Sequence, residues 1–162
     1  MAAPRDTVLF ICTGNTCRSP MAEGLLRAAL AKRGGPALAH LKVASAGLAA
    51  HAGDGASANS VKAMARIGLD VAGHRSRLLS QPELDRAAVI FAMTESHLDA
   101  LAQRFDALPE AVLLLRDVLP PEAPRGIPDP FGGDYRAYED CRDSMVEAMP
   151  AMLEFLRKHF SR

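Results

Sequence analysis

Thr7-Val8-Leu9-Phe10-Ile11-Cys12-Thr13-Gly14-Asn15-Thr16-Cys17-Arg18-Ser19-Pro20 opens on an apolar run and closes on a helix-start signal. The run from Thr7 to Ile11 reads as a buried strand. Ser19-Pro20 reads as a helix start, with Ser19 as N-cap and Pro20 as the first helical residue. Between them lie a Cys, five residues and an Arg. A strand that turns through a small polar loop into a helix builds an anion site, because loop and helix N–H groups face the same point. Such a site favours a thiolate, which makes Cys12 a candidate nucleophile. Arg18 can grip two phosphate oxygens with its planar fork. Gly14 and Asn15 tolerate the dihedrals of a tight cradle, and Ser19 can reach the sulfur. The Cys-to-Arg spacing alone is a weak signal; its place at the carboxyl end of a strand, where open α/β sheets put their sites, is what strengthens it.

Outward from this loop, strands and helices alternate. Met21 to Lys32 reads as a helix with Leu25, Leu26, Ala29 and Leu30 on its apolar face, stopped at Gly34-Gly35-Pro36. His40 to Ser45 reads as a second strand, Ala46 to Ala56 as a loop, and Ser57 to Ile67 as a helix ended by Gly68. Gln81-Pro82-Glu83 starts another helix. Ala87 to Met93 is a continuous apolar run, as a strand covered on both faces requires. Thr94 caps a helix through Phe105, and Ala111 to Leu115 is the fourth strand. Leu119 to Gly133 holds five prolines and reads as a functional surface loop, too little chain following it for another domain. Asp134 to Phe160 reads as a long helix with Tyr138, Met145, Met149, Met152, Leu153 and Leu156 on its apolar side, kinked or interrupted at Pro150. The expected architecture is a three-layer α/β domain spanning 1–162, a four-stranded parallel sheet with helices on both faces.

The 162 residues are 49% apolar, with 19 Lys+Arg against 19 Asp+Glu. That balance gives no global field to recruit nucleic acid or an anionic membrane. No segment reaches the length of a membrane span, and Met1 to Asp6 lacks the apolar stretch of a signal peptide, so a cytoplasmic location is expected. Cys12, Cys17 and Cys141 are an odd set without metal-ligand spacing, and no metal or cofactor is expected. Cys17 reads either as a buried filler or as a partner for Cys12 under oxidation; Cys141 reads as structural.

The segment from Cys12 to Glu23 resembles the phosphate-binding loop of the low-molecular-weight protein tyrosine phosphatases. Ser45-Ala46-Gly47, Gly73-His74-Arg75-Ser76 and Asp129-Pro130-Phe131-Gly132-Gly133 extend the resemblance in order along the chain. It implies that family's fold and a thiophosphate intermediate on Cys12. Arg18 and the loop from Thr13 through Gly14, Asn15, Thr16 and Cys17 to Ser19 would hold the phosphoryl group. Asp129 would be the general acid, Ser45 and His74 would buttress the loop, and the enzyme would be a monomer acting on phosphorylated proteins. Tyr135 and Tyr138 match loosely tyrosines that relatives phosphorylate, and core or surface roles suit them better. Thr16 and Phe131 depart from the larger apolar residue and the tyrosines usual in tyrosine-specific relatives, and are similar to bacterial protein arginine phosphatases. Phosphoarginine is therefore the favoured substrate and phosphotyrosine the alternative. Arsenate reductase would need two further cysteines after mid-domain, and the chain has none between Cys17 and Cys141. A non-catalytic phosphoprotein-binding module would not need nucleophile, Arg and acid together.

Overall fold

The computed structural model describes residues 4–160. Met1, Ala2 and Ala3 of the N-terminal reading, and Ser161 and Arg162 of the expected domain, lie outside the described residues. Strand β1 (Thr7–Cys12) is buried along its whole length. It pairs in parallel with β2 (Lys42–Gly47) on one side and β3 (Ala87–Ala92) on the other, and β3 pairs with β4 (Ala111–Leu114), giving the order β2-β1-β3-β4. Alternate β1 residues serve opposite faces. Val8 and Phe10 join a core with Met21, Leu25 and Leu26 of α1 (Arg18–Arg33) and the methionines and leucines of α5 (Tyr135–His159). Leu9 and Ile11 join a second core with Leu84 of α3 (Gln81–Arg86) and Leu101 of α4 (Glu95–Arg104). The expected three-layer α/β arrangement is the one observed.

Because β1 connects outward to β2 while β3 lies on its other side, the connections diverge at the carboxyl end of β1. In open α/β sheets that divergence opens a crevice for ligands. Cys12 is the last residue of β1.

Several boundaries differ from the sequence reading. Helix α1 begins at Arg18 with Cys17 as N-cap, and no side chain caps it. Ser19 is thus inside the first turn rather than capping it, its hydroxyl being taken by Cys12 and Asn15. Pro20 is tolerated at the third position because the first turn's N–H groups have no intrahelical acceptors. Strand β2 starts two residues later than read, since Leu41 N–H closes the turn at Leu38 (3.1 Å), and it runs on through Ala46 and Gly47 to pair Gly47 with Cys12. Helix α2 spans Ala58–Ala65, with Ser57 as N-cap, and the chain leaves it through Gly68 at φ 80°. Leu115 opens a short 3-10 turn instead of ending β4. Helix α5 runs through Pro150 without interruption. Pro150 and Val146 both lie on the exposed side, so the Val146 carbonyl that loses its intrahelical partner can turn to water.

Phe10 is fully buried at the sheet centre and stacks on Phe91, ring centroids 5.6 Å apart. Phe10→Ala should lower unfolding free energy by about 3–5 kcal/mol in urea titration.

Candidate active site

The loop after β1 is organised by Asn15. It is fully buried and holds φ at 56°, the left-handed region that Asn tolerates better than most side chains. Its carboxamide is satisfied on both ends: Nδ2 donates to Ser19 Oγ (2.8 Å) and Ser45 Oγ (3.0 Å), and Oδ1 accepts from the Arg77 N–H (2.9 Å). Ser45, on β2, donates its hydroxyl hydrogen bond to Glu23 Oε1 at 2.6 Å, and Glu23 pairs with Arg27. The Asn15 carbonyl accepts from His74 Nε2–H at 2.7 Å.

Two hydrogen-bond contacts converge on the Cys12 sulfur. The Asn15 N–H donates at 3.3 Å. Ser19 Oγ lies 2.9 Å away and, already accepting from Asn15, has its proton free for the sulfur. Both groups can donate to the sulfur, and both come from the loop and the helix turn that follow it. The loop is tied from outside by Leu48 N–H to the Cys12 carbonyl, Ala49 N–H to that of Thr13 (both 2.9 Å) and Ser57 N–H to that of Thr16 (2.8 Å). Gly47 passes so close that a Cβ there would stand 2.6 Å from the Thr13 carbonyl oxygen.

Arg18, 4% exposed, connects the loop to the proline-rich segment. Its Nη1 donates to the Ile127 carbonyl at 2.9 Å, and its Nη2 lies 3.5 Å from Asp129 Oδ2. Ile127 is itself pinned by its N–H to the Met93 carbonyl at 2.9 Å, beyond the end of β3. Two residues on, Asp129 accepts from the Phe131 N–H at 3.1 Å, and its carboxylate is about half exposed. Phe131 is 77% exposed, an unusual place for a phenyl ring. A cavity of about 200 Å³ is lined by Cys12, Thr13, Gly14, Thr16, Cys17, Arg18, Asp129 and Phe131. The candidates for nucleophile, phosphate grip, acid and specificity thus line one cavity, while Asn15, Ser19, Ser45 and His74 stand behind it.

The three cysteines differ in surroundings, and all are free thiols. Cys17 Sγ lies 3.6 Å from Ser57 Oγ and 3.7 Å from the Tyr138 hydroxyl. Burial, followed by the Cys17 contact, raises the Tyr138 pKa. Burial pushes the Cys141 thiol up to about 12, an inert group in keeping with a structural role. Among the described residues no cluster of three or more His, Cys, Asp or Glu is placed to hold a metal, and no helix is long and apolar enough to cross a membrane.

Sequence reading missed His97, Glu23 and Ile127. His97 sits at the third position of α4 behind the Thr94 cap, and its Nε2 lies 3.0 Å from Thr13 Oγ1. Burial, then the Arg18 charge, lowers its pKa to about 4, Asp129 opposing the shift. A Thr-x-x-His start to a helix was the available signal, but nothing local indicates that the ring reaches the loop after β1. Ile127 acts through its backbone, which no residue type announces.

Comparison with known proteins identifies the family of the chain. Residues 7–162 match the model of the low molecular weight phosphotyrosine protein phosphatase family, and the chain belongs to that family. A protein-arginine-phosphatase of Geobacillus stearothermophilus is 34% identical over 93% of this chain and 95% of its own length. A low molecular weight protein-tyrosine-phosphatase of Streptomyces coelicolor is also 34% identical, over 93% of each chain. The solved structure of a mutant YwlE arginine phosphatase with a phosphorylated active-site serine superposes with a TM-score of 0.84 at 31% identity, covering 94% of this chain and 96% of that one.

Gly47→Ala should destabilise the fold by about 1–3 kcal/mol and weaken phosphate binding, measured by thermal unfolding and calorimetric titration, because the added methyl meets backbone that cannot move aside cheaply. His97 carries a second expectation. Its folded pKa lies below the ordinary 6.5, so the unfolded chain binds more protons across that window and stability falls with pH from about 6.5 toward 4. Urea titrations at pH 7 and pH 4 should show wild type losing roughly 2–3 kcal/mol more than His97→Gln.

Proposed function

We propose that this family member is a protein arginine phosphatase working through a thiophosphate intermediate on Cys12. The observation that carries the reading is the convergence of Cys12, Arg18 and Asp129 on one small cavity whose rim presents Thr16 and Phe131. Cys12 attacks phosphorus as the thiolate, forming the S–P bond as the P–N bond breaks. Asp129, entering as the acid, gives its proton to the departing guanidino nitrogen. Arg18 and the amides from Thr13 to Arg18 stabilise the equatorial oxygens. Water then attacks the thiophosphate, Asp129 takes its proton, and phosphate leaves with the thiolate restored.

The substrate preference rests on chemistry at the rim. A guanidinium is flat, polar and rich in N–H donors. The Thr16 hydroxyl can accept one of them, where a larger apolar side chain would leave it unpaired. The exposed Phe131 ring offers a face on which a guanidinium stacks. The tyrosine phosphatase relative at equal identity keeps phosphotyrosine as the second reading. The reading carries with it a monomeric cytoplasmic enzyme that acts on phosphorylated proteins without metal or cofactor and without binding nucleic acid or membrane. It also assigns Cys17 the role of trapping an oxidised Cys12: peroxide converts the thiolate to a sulfenic acid, and the Cys17 thiol displaces water to form a disulfide.

Cys12→Ser should abolish turnover while phosphate binding stays measurable by calorimetry; steady turnover in that variant would contradict the covalent mechanism. Asp129→Asn should lower kcat on phosphoarginine by about 10²–10⁴. On matched peptides, Thr16→Ile should shift kcat/KM toward phosphotyrosine, and an unchanged ratio would remove Thr16 as a determinant.

A further inference from the structure

A second hydroxyl-bearing residue lines the cavity, and its hydroxyl has no part in the chemistry above. Thr13 is exposed, and its Oγ1 is held by a buried side chain from the far side of the sheet's end. That side chain is His97, on α4, 4% exposed. Its Nδ1 accepts from two backbone N–H groups, those of Met93 at 3.4 Å and Thr94 at 3.3 Å. A nitrogen receiving two N–H groups cannot carry a proton, so the proton of the neutral ring is on Nε2. Nε2–H therefore donates to Thr13 Oγ1. This uses one lone pair of the hydroxyl and leaves the other, on a residue that lines the cavity, open to a second donor. Burial and the Arg18 charge hold the ring neutral through the working pH range, against the pull of Asp129.

We propose that Thr13 is a further specificity residue, its hydroxyl accepting an N–H of a guanidino leaving group, and that His97 is the positioning residue that fixes the hydroxyl for this contact. The inference rests on the phosphoarginine reading and adds a second acceptor to the rim beside Thr16. An aryl leaving group has no N–H to give, so losing the contact costs the phosphoarginine substrate more than the phosphotyrosine one. A preorganised acceptor discriminates more strongly than a rotating one, because no rotamer freedom is lost on binding.

The test separates the two ends of the His97 ring. Asn can imitate Nδ1, keeping an acceptor for Met93 and Thr94 but falling short of Thr13. Gln can imitate Nε2–H, keeping the donor to Thr13. kcat/KM is measured on peptides differing only in phosphoarginine or phosphotyrosine, for wild type, Thr13→Val, His97→Asn, His97→Gln and the Thr13→Val/His97→Asn double variant. Thr13→Val and His97→Asn should each lower the phosphoarginine-to-phosphotyrosine ratio by about tenfold or more. The double variant should lower it no further, since both changes remove one interaction. His97→Gln should retain the ratio. The ratio is the readout rather than either rate alone, because a loop disturbed as a whole lowers both rates together. The reverse pattern, with Asn retaining the ratio and Gln losing it, would make His97 a helix cap only and overturn the proposal, as would an unchanged ratio in Thr13→Val. A wild-type preference for phosphotyrosine would overturn the substrate reading alone, because the shift between variants still decides this one. Hydrolysis of neither peptide would overturn both.

Discussion

The buried carboxamide of Asn15 is the interaction on which the site depends. A loop that must present its amides inward needs a residue in the left-handed region at its turn, and that conformation is costly for most side chains. Here the cost is offset by a carboxamide whose donors and acceptor all find partners, on three different segments: Ser19 on α1, Ser45 on β2 and the Arg77 backbone. A network satisfied throughout is rigid, whereas the same groups half satisfied would destabilise the interior. The same contacts free the Ser19 proton for the Cys12 sulfur. Conformation, rigidity and sulfur environment therefore share one origin.

The fold supplies the remaining positions. The β2-β1-β3-β4 order opens a crevice at the end of β1. From β2, Gly47 backs the loop at a distance no larger residue permits. From the end of β3, Met93 anchors Ile127, and Arg18 reaches across to the Ile127 carbonyl and toward Asp129. The proline-rich segment is long, but one fully buried residue ties it to the sheet two positions before the candidate acid. Pro128 and Pro130 flank that acid and restrict its backbone. An arginine whose side chain spans loop and acid segment couples their geometry, so a shift in either is felt at both.

Much of this was legible in the chain. A buried strand, a small polar loop and a helix start announce the anion cradle, and the alternation of strands and helices announces the parallel sheet. Sequence could not show the reach of side chains between segments. Ser19 looked like a helix cap because Ser before Pro commonly is one; the tertiary demand of the sulfur and of Asn15 took its hydroxyl instead. Ala46 and Gly47 looked like loop because small residues carry little strand preference, yet register with β1 makes them strand. Pro150 looked like a break, and the helix accommodates it on its exposed side, where Val146 also lies and water can reach the freed carbonyl. His97 gave only a capping pattern, since its second role depends on where α4 meets the loop after β1.

The covalent step on Cys12 is best tested by rapid quench of the wild-type enzyme during its first turnover of a phosphoarginine peptide, followed by peptide mass spectrometry. A single transient phosphoryl group is expected on the peptide carrying Cys12, rising before free phosphate and decaying as phosphate accumulates. Phosphate release with no adduct on Cys12 at any time point, or an adduct on another residue, would contradict it.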